Sequence, residues 1–228
     1  MTRTYKGASD GFIPTLRIYD KDHDTNGFIG YRENDESIYV VFRGSESIPN
    51  WISNLDAILT SYPNCAGCKV HKGFYKASSN VFAVVHKEVA RLRQLFSSFK
   101  VVFVGHSLGA AVATLVLAEL NTVYAVKNVR LVNFGSPRVG NDEFSSWASN
   151  LIQDRMRVTH YKDIVPHCPM HERFTHISGE WYHEDDMGQD IRACAGYEDS
   201  SCAYQWHVTS IDDHEMYLGL EVHCGPVS

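Results

Sequence analysis

Ser107 is the residue in this 228-residue chain whose surroundings first indicate chemistry. It lies in the segment Gly105-His-Ser-Leu-Gly109, between an apolar run at 101–104 and a stretch rich in Ala and Leu at 110–120. The run predicts a strand covered on both faces, and the stretch predicts a helix. A serine on the strained turn between them is exposed for nucleophilic attack, and the N–H of Leu108 at the helix N-terminus favours a developing oxyanion. The alternative is a glycine-bounded turn with an incidental serine.

A catalytic serine also needs an acid and a base, because a serine hydroxyl becomes a nucleophile only when a histidine oriented by a carboxylate removes its proton. Where the serine sits on a strand-to-helix turn, the acid and then the histidine follow it along the chain. Asp163 fits best, because it comes just after a predicted strand at 156–161, at the carboxyl edge of the sheet. Asp142 fits the first turn of a helix instead, and the acidic stretch at 184–186 fits a solvated loop.

Twelve histidines compete for the role of base. His106 is a poor candidate for the base, because neighbouring side chains on such a turn point apart. Of the histidines that follow the acid, His214 stands out because it lies beside a short predicted helix near the C-terminus, where the last member of a triad usually falls. His207 and His176 stay open as alternatives from spacing alone.

The elements that would position these side chains alternate between strand and helix. Turn-bounded β-rich runs open the chain and predict an antiparallel start to a sheet. A helix with apolar residues spaced three to four apart follows, and then two strand-turn-helix units. This alternation predicts a single α/β domain over residues 1–228 with a largely parallel sheet. The predicted strands are 16–19, 27–31, 37–42, 101–104, 129–134 and 156–161, and the predicted helices are 74–96, 110–120 and 143–152.

Composition excludes several classes of partner. The net charge is −6 and no cluster of five basic residues occurs, which argues against nucleic acid and anionic lipid. No apolar run approaches the roughly 18 residues of a transmembrane segment, and the start of the chain has no apolar signal-peptide core. A neutral substrate is therefore expected. Six cysteines are many for a cytosolic enzyme and are compatible with secretion.

Further motifs surround the candidate triad. They are Val41-Phe-Arg-Gly-Ser-Glu-Ser-Ile-Pro-Asn-Trp51, Lys69-Val-His-Lys-Gly-Phe74, Val104-Gly-His-Ser-Leu-Gly109, Gly135-Ser-Pro-Arg-Val-Gly140, Asp163-Ile-Val-Pro166, and Asp213-His214 with Tyr217 and Gly219. Together they resemble the fungal-type class 3 lipase family of triacylglycerol lipases, with feruloyl esterases as cousins. They occur in the family's order over residues 38–219.

This resemblance implies a fold and a set of roles. The fold would be an α/β-hydrolase: a central, mostly parallel sheet flanked by helices, with a short helical lid. Ser107 would be the nucleophile, Asp163 the acid and His214 the base. Ser45 would supply the second oxyanion donor beside Leu108, a role compatible with that of a helix N-cap.

The segment after Ser45 has two faces. Its polar residues fall on one side of a predicted helix: Asn50, Ser53, Asn54 and Asp56. Its apolar residues fall on the other: Ile48, Trp51, Ile52, Leu55, Ile58 and Leu59. The alternative to a lid is an ordinary core-packed helix. By resemblance the apolar face covers the serine, and it contacts lipid when the segment opens at an oil surface. Its apolar character favours a lipase over a feruloyl esterase.

The implied reaction is two-step acyl transfer without a metal or an organic cofactor. The expected substrate is a neutral lipid or another ester, reached by transient contact of the lid with a lipid surface, and the expected protein is a secreted monomer. Phospholipases, short-chain esterases and feruloyl esterases would share the triad. A non-catalytic lipid-binding protein is disfavoured because all three triad positions are filled.

The cysteines and the start of the chain predict the disulfide pairs and how far the sheet is covered. By resemblance, Cys194 and Cys202 form a short disulfide loop, and Cys224 matches a C-terminal cysteine whose usual partner lies in an N-terminal helix. Few residues precede the first strand here, so the chain is expected to be truncated or compact, with the back face of its sheet less covered. Cys65 and Cys68 are expected to form a small loop disulfide, because a closed zinc site needs four ligands.

Overall fold

The computed structural model describes residues 9–170, 172–185 and 190–222, so His223 and Cys224 lie outside the described residues. The described strands are β1 (Phe12–Asp20), β2 (Thr25–Arg32), β3 (Ser37–Phe42), β4 (Leu59–Ser61), β5 (Lys69–His71), β6 (Lys100–His106), β7 (Val129–Phe134), β8 (Arg155–His160), β9 (Glu180–His183), β10 (Ile191–Ala193), β11 (Met216–Tyr217) and β12 (Leu220–Glu221). The helices are α1 (Ile48–Asn54), α2 (Lys72–Leu95), α3 (Leu108–Tyr124) and α4 (Asp142–Leu151).

The main sheet has eight strands in the order β1-β2-β3-β6-β7-β8-β9-β10. Strands β3, β6, β7, β8 and β9 run parallel to one another, and β1, β2 and β10 are antiparallel to their neighbours. The predicted largely parallel sheet with an antiparallel start is therefore confirmed. The carboxyl ends of parallel strands meet at one edge, so the loops after β3, β6 and β8 leave the sheet on the same side.

The long helices follow from apolar spacing and capping. The α2 side chains of Phe74, Val81, Val85 and Leu92 are buried, as the three-to-four spacing predicts. Helix α4 is capped by the side chain of Asn141, which accepts a hydrogen bond from the backbone of its third residue. The three predicted helices are confirmed, with α3 extending further at both ends than the prediction.

The two faces of the sheet are covered differently. Helices α2, α3 and α4 pack with the sheet around one core, in which Val101 and Phe103 are fully buried. In the described ranges no helix of similar length covers the opposite face, where β-register places Phe28, Val41, Val104, Val132 and Met156 in one row. On this opposite face of β6 Val102 is buried and Val104 is half-buried, so the prediction of a strand covered on both faces holds fully for one face and partly for the other.

Helix α1 differs from its prediction at both ends. It ends at Asn54, with Leu55 as an extended C-cap, instead of continuing to residue 59. Leu59 belongs to β4, where it pairs with His71 of β5. The N-cap is Ser47, so the capping role considered for Ser45 is wrong.

Two disulfides tie loops at the surface of the fold. Cys65 bonds Cys68, and Cys194 bonds Cys202, as predicted. Cys168 carries a buried free thiol, and burial raises its pKa to about 11. None of the described helices is both long enough and apolar enough to cross a membrane.

Candidate active site

Ser107 occupies a strained turn between β6 and α3. Its backbone φ is 57° and its ψ is −129°, a region that side-chain-bearing residues rarely adopt. The flanking glycines make the turn possible. A methyl group at Gly105 would lie 2.4 Å from the Gly109 carbonyl oxygen, and one at Gly109 would lie 2.4 Å from the carbonyl oxygen of Phe42. The close approach of α3, β6 and β3 therefore requires glycine at both positions.

Two chain segments that are predicted to carry oxyanion donors lie next to Ser107. Leu108 begins α3, so its N–H belongs to the first helical turn, where N–H groups have no partner within the helix. On the other side, a methyl group at Gly44 would lie 2.9 Å from Ser107 Cβ. The half-buried Ser45 follows directly in this loop. The structure thus brings both predicted oxyanion segments next to the serine.

Asp163 and His214 form a buried pair. Nδ1 of His214 lies 2.8 Å from Oδ2 of Asp163, and both side chains are almost fully buried. Asp163 follows β8, and its segment pairs with that of Ser210, which brings the short helical turn Asp212–His214 alongside. His214 Nε2 and Ser107 Oγ are both buried, and neither has a hydrogen-bond partner among the described residues. The serine hydroxyl and the imidazole are therefore free to meet each other or a substrate.

Neighbouring groups stabilise the ionised form of the Asp163 carboxyl. Burial alone would raise the pKa of this carboxyl, but the nearby His214 and three hydrogen bonds lower the net pKa below its usual value. Oδ1 accepts from the Val165 N–H at 2.8 Å, and Oδ2 accepts from His214 and from the Tyr217 hydroxyl, the latter at 2.5 Å. Asp163 is therefore a carboxylate that orients His214 through its Nδ1–H.

Two further residues contact the pair in ways that residue spacing does not predict. Tyr217 is buried and donates to Asp163, although the motif around His214 assigns it no role. Gly135, with φ of 54°, packs on the pair so closely that a methyl group there would lie 2.7 Å from His214 Cε1 and 2.8 Å from Asp163 Oδ2. The motif beginning at Gly135 is the available signal, since a glycine after a strand indicates a close approach of the backbone.

The other candidates lie outside the pair. His176 is buried and bonds to the Pro166 carbonyl through Nε2, and His207 is exposed. Asp142 begins α4, as predicted. His106 is not a candidate by spacing, yet its ring stacks on His214 with centroids 4.4 Å apart. The side chain of His106, which precedes Ser107 in the chain, thus lies against the candidate base His214.

The candidate lid residues line the inner side of α1 and its C-cap. Ile48 is buried, and Trp51, Ile52 and Leu55 are half-buried. Trp51 stacks on Phe74 of α2, with ring centroids 6.0 Å apart and planes 16° apart. The apolar side of this segment therefore packs against the body of the protein.

The arrangement has the parts that acyl transfer requires. A hydroxyl lies on a strained turn, an oriented imidazole lies nearby, and N–H groups at a helix N-terminus lie beside the hydroxyl. Among residues 9–170, 172–185 and 190–222, no group of three or more His, Cys, Asp or Glu side chains is placed to hold a metal ion.

Comparison with known proteins agrees with this geometry. The family Lipase (class 3) matches residues 39–173. A lipase from Rhizomucor miehei is 34% identical over 204 residues, which are 87% of this chain and 56% of that protein. A secreted mono- and diacylglycerol lipase from Fusarium solani is 32% identical over 200 residues, which are 85% of this chain and 60% of that protein. The chain thus spans little more than half the length of these relatives.

Solved structures show the same fold. The native Rhizomucor miehei lipase propeptide complex superposes with a TM-score of 0.89 at 31% identity, covering 95% of this chain and 71% of that one. A triacylglycerol lipase described as having a serine protease triad at its catalytic centre also gives a TM-score of 0.89, at 32% identity over 94% of this chain and 83% of that one. The predicted α/β-hydrolase fold is confirmed, and the chain belongs to the class 3 lipase family.

Proposed function

We propose that this protein hydrolyses carboxylic esters of lipids, with triacylglycerol as its main substrate class, through Ser107, Asp163 and His214. The observation that carries the proposal is the buried Asp163–His214 hydrogen bond of 2.8 Å beside a serine held at a φ of 57°. Membership of the class 3 lipase family and the mono-, di- and triacylglycerol lipases among its relatives support the substrate class.

The first half of the reaction forms an acyl-enzyme. His214 Nε2 takes the proton of Ser107 Oγ as that oxygen attacks the ester carbonyl carbon, and the carbonyl oxygen becomes an oxyanion held by the Leu108 N–H and by Ser45. The proton on His214 then passes to the alkoxy oxygen, so the carbon–oxygen bond breaks and the alcohol leaves. Asp163 stabilises the imidazolium between these two transfers.

The second half returns the enzyme to its starting state. A water molecule gives one proton to His214 Nε2 and attacks the acyl carbon, forming a second oxyanion in the same position. The bond to Ser107 Oγ breaks, Oγ recovers the proton from His214, and the fatty acid leaves. The net reaction consumes one water and one ester bond.

Helix α1 would act as the lid. Its inner face packs against the body through Ile48 and Trp51. Opening at a lipid surface would expose apolar area to the lipid instead of to water.

Because all the proposed catalytic groups come from one chain, a monomer suffices. Two disulfides and relatives described as secreted support an extracellular site of action.

The test measures hydrolysis of a long-chain triglyceride below and above its solubility limit, beside a soluble butyrate ester. Wild type is compared with Ser107→Ala and with Ser97→Ala, an exposed serine beyond the end of α2. We expect a rise in rate when the emulsion forms, and a loss of about 10⁴-fold or more in Ser107→Ala only.

Each other outcome changes the proposal in a defined way. Cleavage of the soluble ester alone would remove triglyceride and the lid from the proposal while keeping the triad. Faster cleavage of phospholipid vesicles or of feruloyl esters would replace triglyceride with that substrate. Equal rates for Ser107→Ala and wild type would reject Ser107 as the nucleophile.

A further inference from the structure

His106 links three parts of the candidate site. It ends β6, directly before Ser107, and its ring lies against the ring of His214 with planes 28° apart. Its Nε2 lies 2.9 Å from the backbone carbonyl oxygen of His214. A methyl group at Gly44, in the loop that leads to Ser45, would lie 3.1 Å from its Nδ1. One imidazole thus contacts the segments that carry the proposed nucleophile, base and oxyanion donor.

The hydrogen bond determines where the proton of His106 resides. A carbonyl oxygen only accepts, so Nε2 carries the hydrogen and Nδ1 carries none. Burial and the adjacent His214 together lower the pKa of His106 to about 3, although Asp163 and the hydrogen bond to the His214 carbonyl act in the opposite direction. The His106 ring therefore stays neutral while His214 gains and loses its proton. It can hold its neighbour without competing for the proton of Ser107.

The hydrogen bond from His106 reaches the backbone of His214, which its own helical turn restrains only weakly. His214 ends a helical turn of three residues, Asp212–His214, so helical hydrogen bonds do little to fix its backbone. On the side-chain end, Asp163 holds Nδ1. A hydrogen bond to the carbonyl together with a bond to Nδ1 fixes both ends of the residue, and the stacked ring limits rotation of the imidazole plane.

We propose that His106 is a positioning residue that holds the backbone and ring of His214, so that His214 Nε2 is aimed at Ser107 Oγ. The inference rests on the proposed function, because it assumes that His214 is the base. His106 does not transfer a proton itself. A misplacement of about 1 Å in a catalytic group can cost on the order of 100-fold in rate, so the loss should fall on kcat rather than on KM.

The test compares His106→Gln with His106→Phe. The amide N–H of Gln can reach the His214 carbonyl but cannot stack, whereas Phe keeps a flat ring but has no donor. His86→Gln is the matched control, since His86 stacks on Tyr124 in α2 and α3, with centroids 3.7 Å apart, and has no place in the site. Turnover of p-nitrophenyl butyrate is divided by the number of sites that a fluorophosphonate labels at completion, which removes misfolded molecules from kcat.

We expect kcat per labelled site to fall about 30- to 100-fold in His106→Phe with KM within about twofold, and to recover to within about fivefold of wild type in His106→Gln. His86→Gln should match wild type. Wild-type kcat in His106→Phe, or a His106→Gln variant as slow as His106→Phe, would overturn the positioning role. Ser107→Ala is measured in parallel: if it keeps activity, the proposed function fails, whereas if it alone loses activity, only this inference fails.

Discussion

The buried Asp163 carboxylate is stabilised in its ionised form by a small number of hydrogen-bond donors. Burial by itself would raise the pKa of its carboxyl, but His214, Tyr217 and the Val165 N–H together lower that pKa. A carboxyl whose pKa is lower in the folded state than in the unfolded chain adds stability above its unfolded pKa, about 3.9. That contribution is lost as the pH falls through the lower folded pKa. Acid should therefore weaken the fold and disable the site through the same residue.

Tyr217→Phe tests this linkage. Removing one of the donors to Oδ2 should raise the pKa of Asp163 and lower the unfolding free energy at pH 7 by about 1.5–3 kcal/mol. The difference from wild type should shrink as the pH falls and Asp163 becomes protonated in both proteins. Urea unfolding at pH 7 and in steps from pH 4 down to pH 2 measures it, because the change falls below the unfolded pKa of about 3.9.

Thr114→Val is the control for the loss of a buried hydroxyl. That hydroxyl donates to the Ala110 carbonyl at 2.8 Å and accepts from the Asn133 amide at 2.9 Å, and neither partner titrates. Its removal should cost stability by an amount that does not change between pH 2 and pH 7. A pH-independent deficit in Tyr217→Phe as well would contradict the linkage.

Gly135→Ala should impair catalysis by direct contact. The new methyl group would lie 2.7 Å from His214 Cε1, so the imidazole or the Asp163 carboxylate must move. We expect kcat on a soluble ester to fall about 100-fold while the protein stays folded. Gly196→Ala adds the same kind of backbone strain, at a φ of 66°, but its methyl group would meet no atom of the described chain within 4 Å. Equal activity losses in the two variants would assign the effect to strain alone.

Local and distant features of the site differ in how far the sequence predicts them. The turn around Ser107 is predictable because strand, glycines and helix are adjacent in the chain. The partnership of Asp163 with His214 joins residues 51 positions apart, and residue spacing leaves His207 and His176 open until the family motifs are considered. The contacts of Gly135 and Tyr217 depend on how the loops after β7 and β8 converge with the C-terminal segment that carries His214 and β11, which no local pattern specifies.

At the scale of elements, α1 shows a tertiary contact overriding a periodic pattern. Apolar spacing predicts helix through residue 59, yet the chain becomes extended at Leu55. Leu59 pairs with His71, and the Lys72 N–H donates to the Ile58 carbonyl at 2.8 Å, so this stretch satisfies its backbone in a strand pair. Helix α1 is consequently a short element between the loop after β3 and the β4–β5 strand pair, an arrangement that agrees with the lid role proposed for it.

Under the lid role proposed for α1, Trp51→Ala should shift the balance between a closed and an open position. The stack of Trp51 on Phe74 would belong to the closed position, so its loss should favour the open one. We expect hydrolysis of a dissolved butyrate ester to rise several-fold and the rate increase on forming a triglyceride emulsion to shrink. Asn50→Ala, on the exposed side of the same helix, should alter neither rate. A lower rate on the dissolved ester in Trp51→Ala would instead make Trp51 part of the substrate pocket.

At the scale of the whole molecule, the sheet divides the protein into one side with a helix-covered core and one with a partly exposed surface. Composition and strand periodicity predict a fold with a full core, and the helices supply it on the side of Val101 and Phe103. The opposite row, from Phe28 to Met156, looks equally apolar in sequence. Which row lies under helices depends on the side to which the crossover connections return, and this cannot be read from alternation along one strand.

The second half of the sheet is held by a buried ion pair. Arg157 of β8 donates to Glu180 of β9 at 3.0 Å, and both side chains are almost fully buried. Glu180 also accepts from the Thr159 hydroxyl at 2.7 Å and from the Ala203 N–H at 3.3 Å. The pair therefore joins the strand that leads to Asp163 with the loop closed by the Cys194–Cys202 disulfide.

Glu180→Leu should destabilise the whole fold rather than the site alone. It leaves the Arg157 guanidinium buried without its carboxylate, which typically costs about 3–5 kcal/mol, and a protein of this size should then melt about 10 °C lower. Glu184→Leu is the matched control, because Glu184 lies 3.8 Å from Arg192 with both side chains about half exposed. Its effect should stay below about 1 kcal/mol. In an Arg157→Met/Glu180→Leu double variant no charge is left unpaired, so the melting temperature should partly recover. A double variant that melts no higher than Glu180→Leu would mean that the ion pair is not what holds β8 to the end of the sheet. The other hydrogen bonds of the two side chains would then carry that role: those of Glu180 to Thr159 and Ala203, and those of Arg157 to the carbonyls of Ile177 and Tyr197.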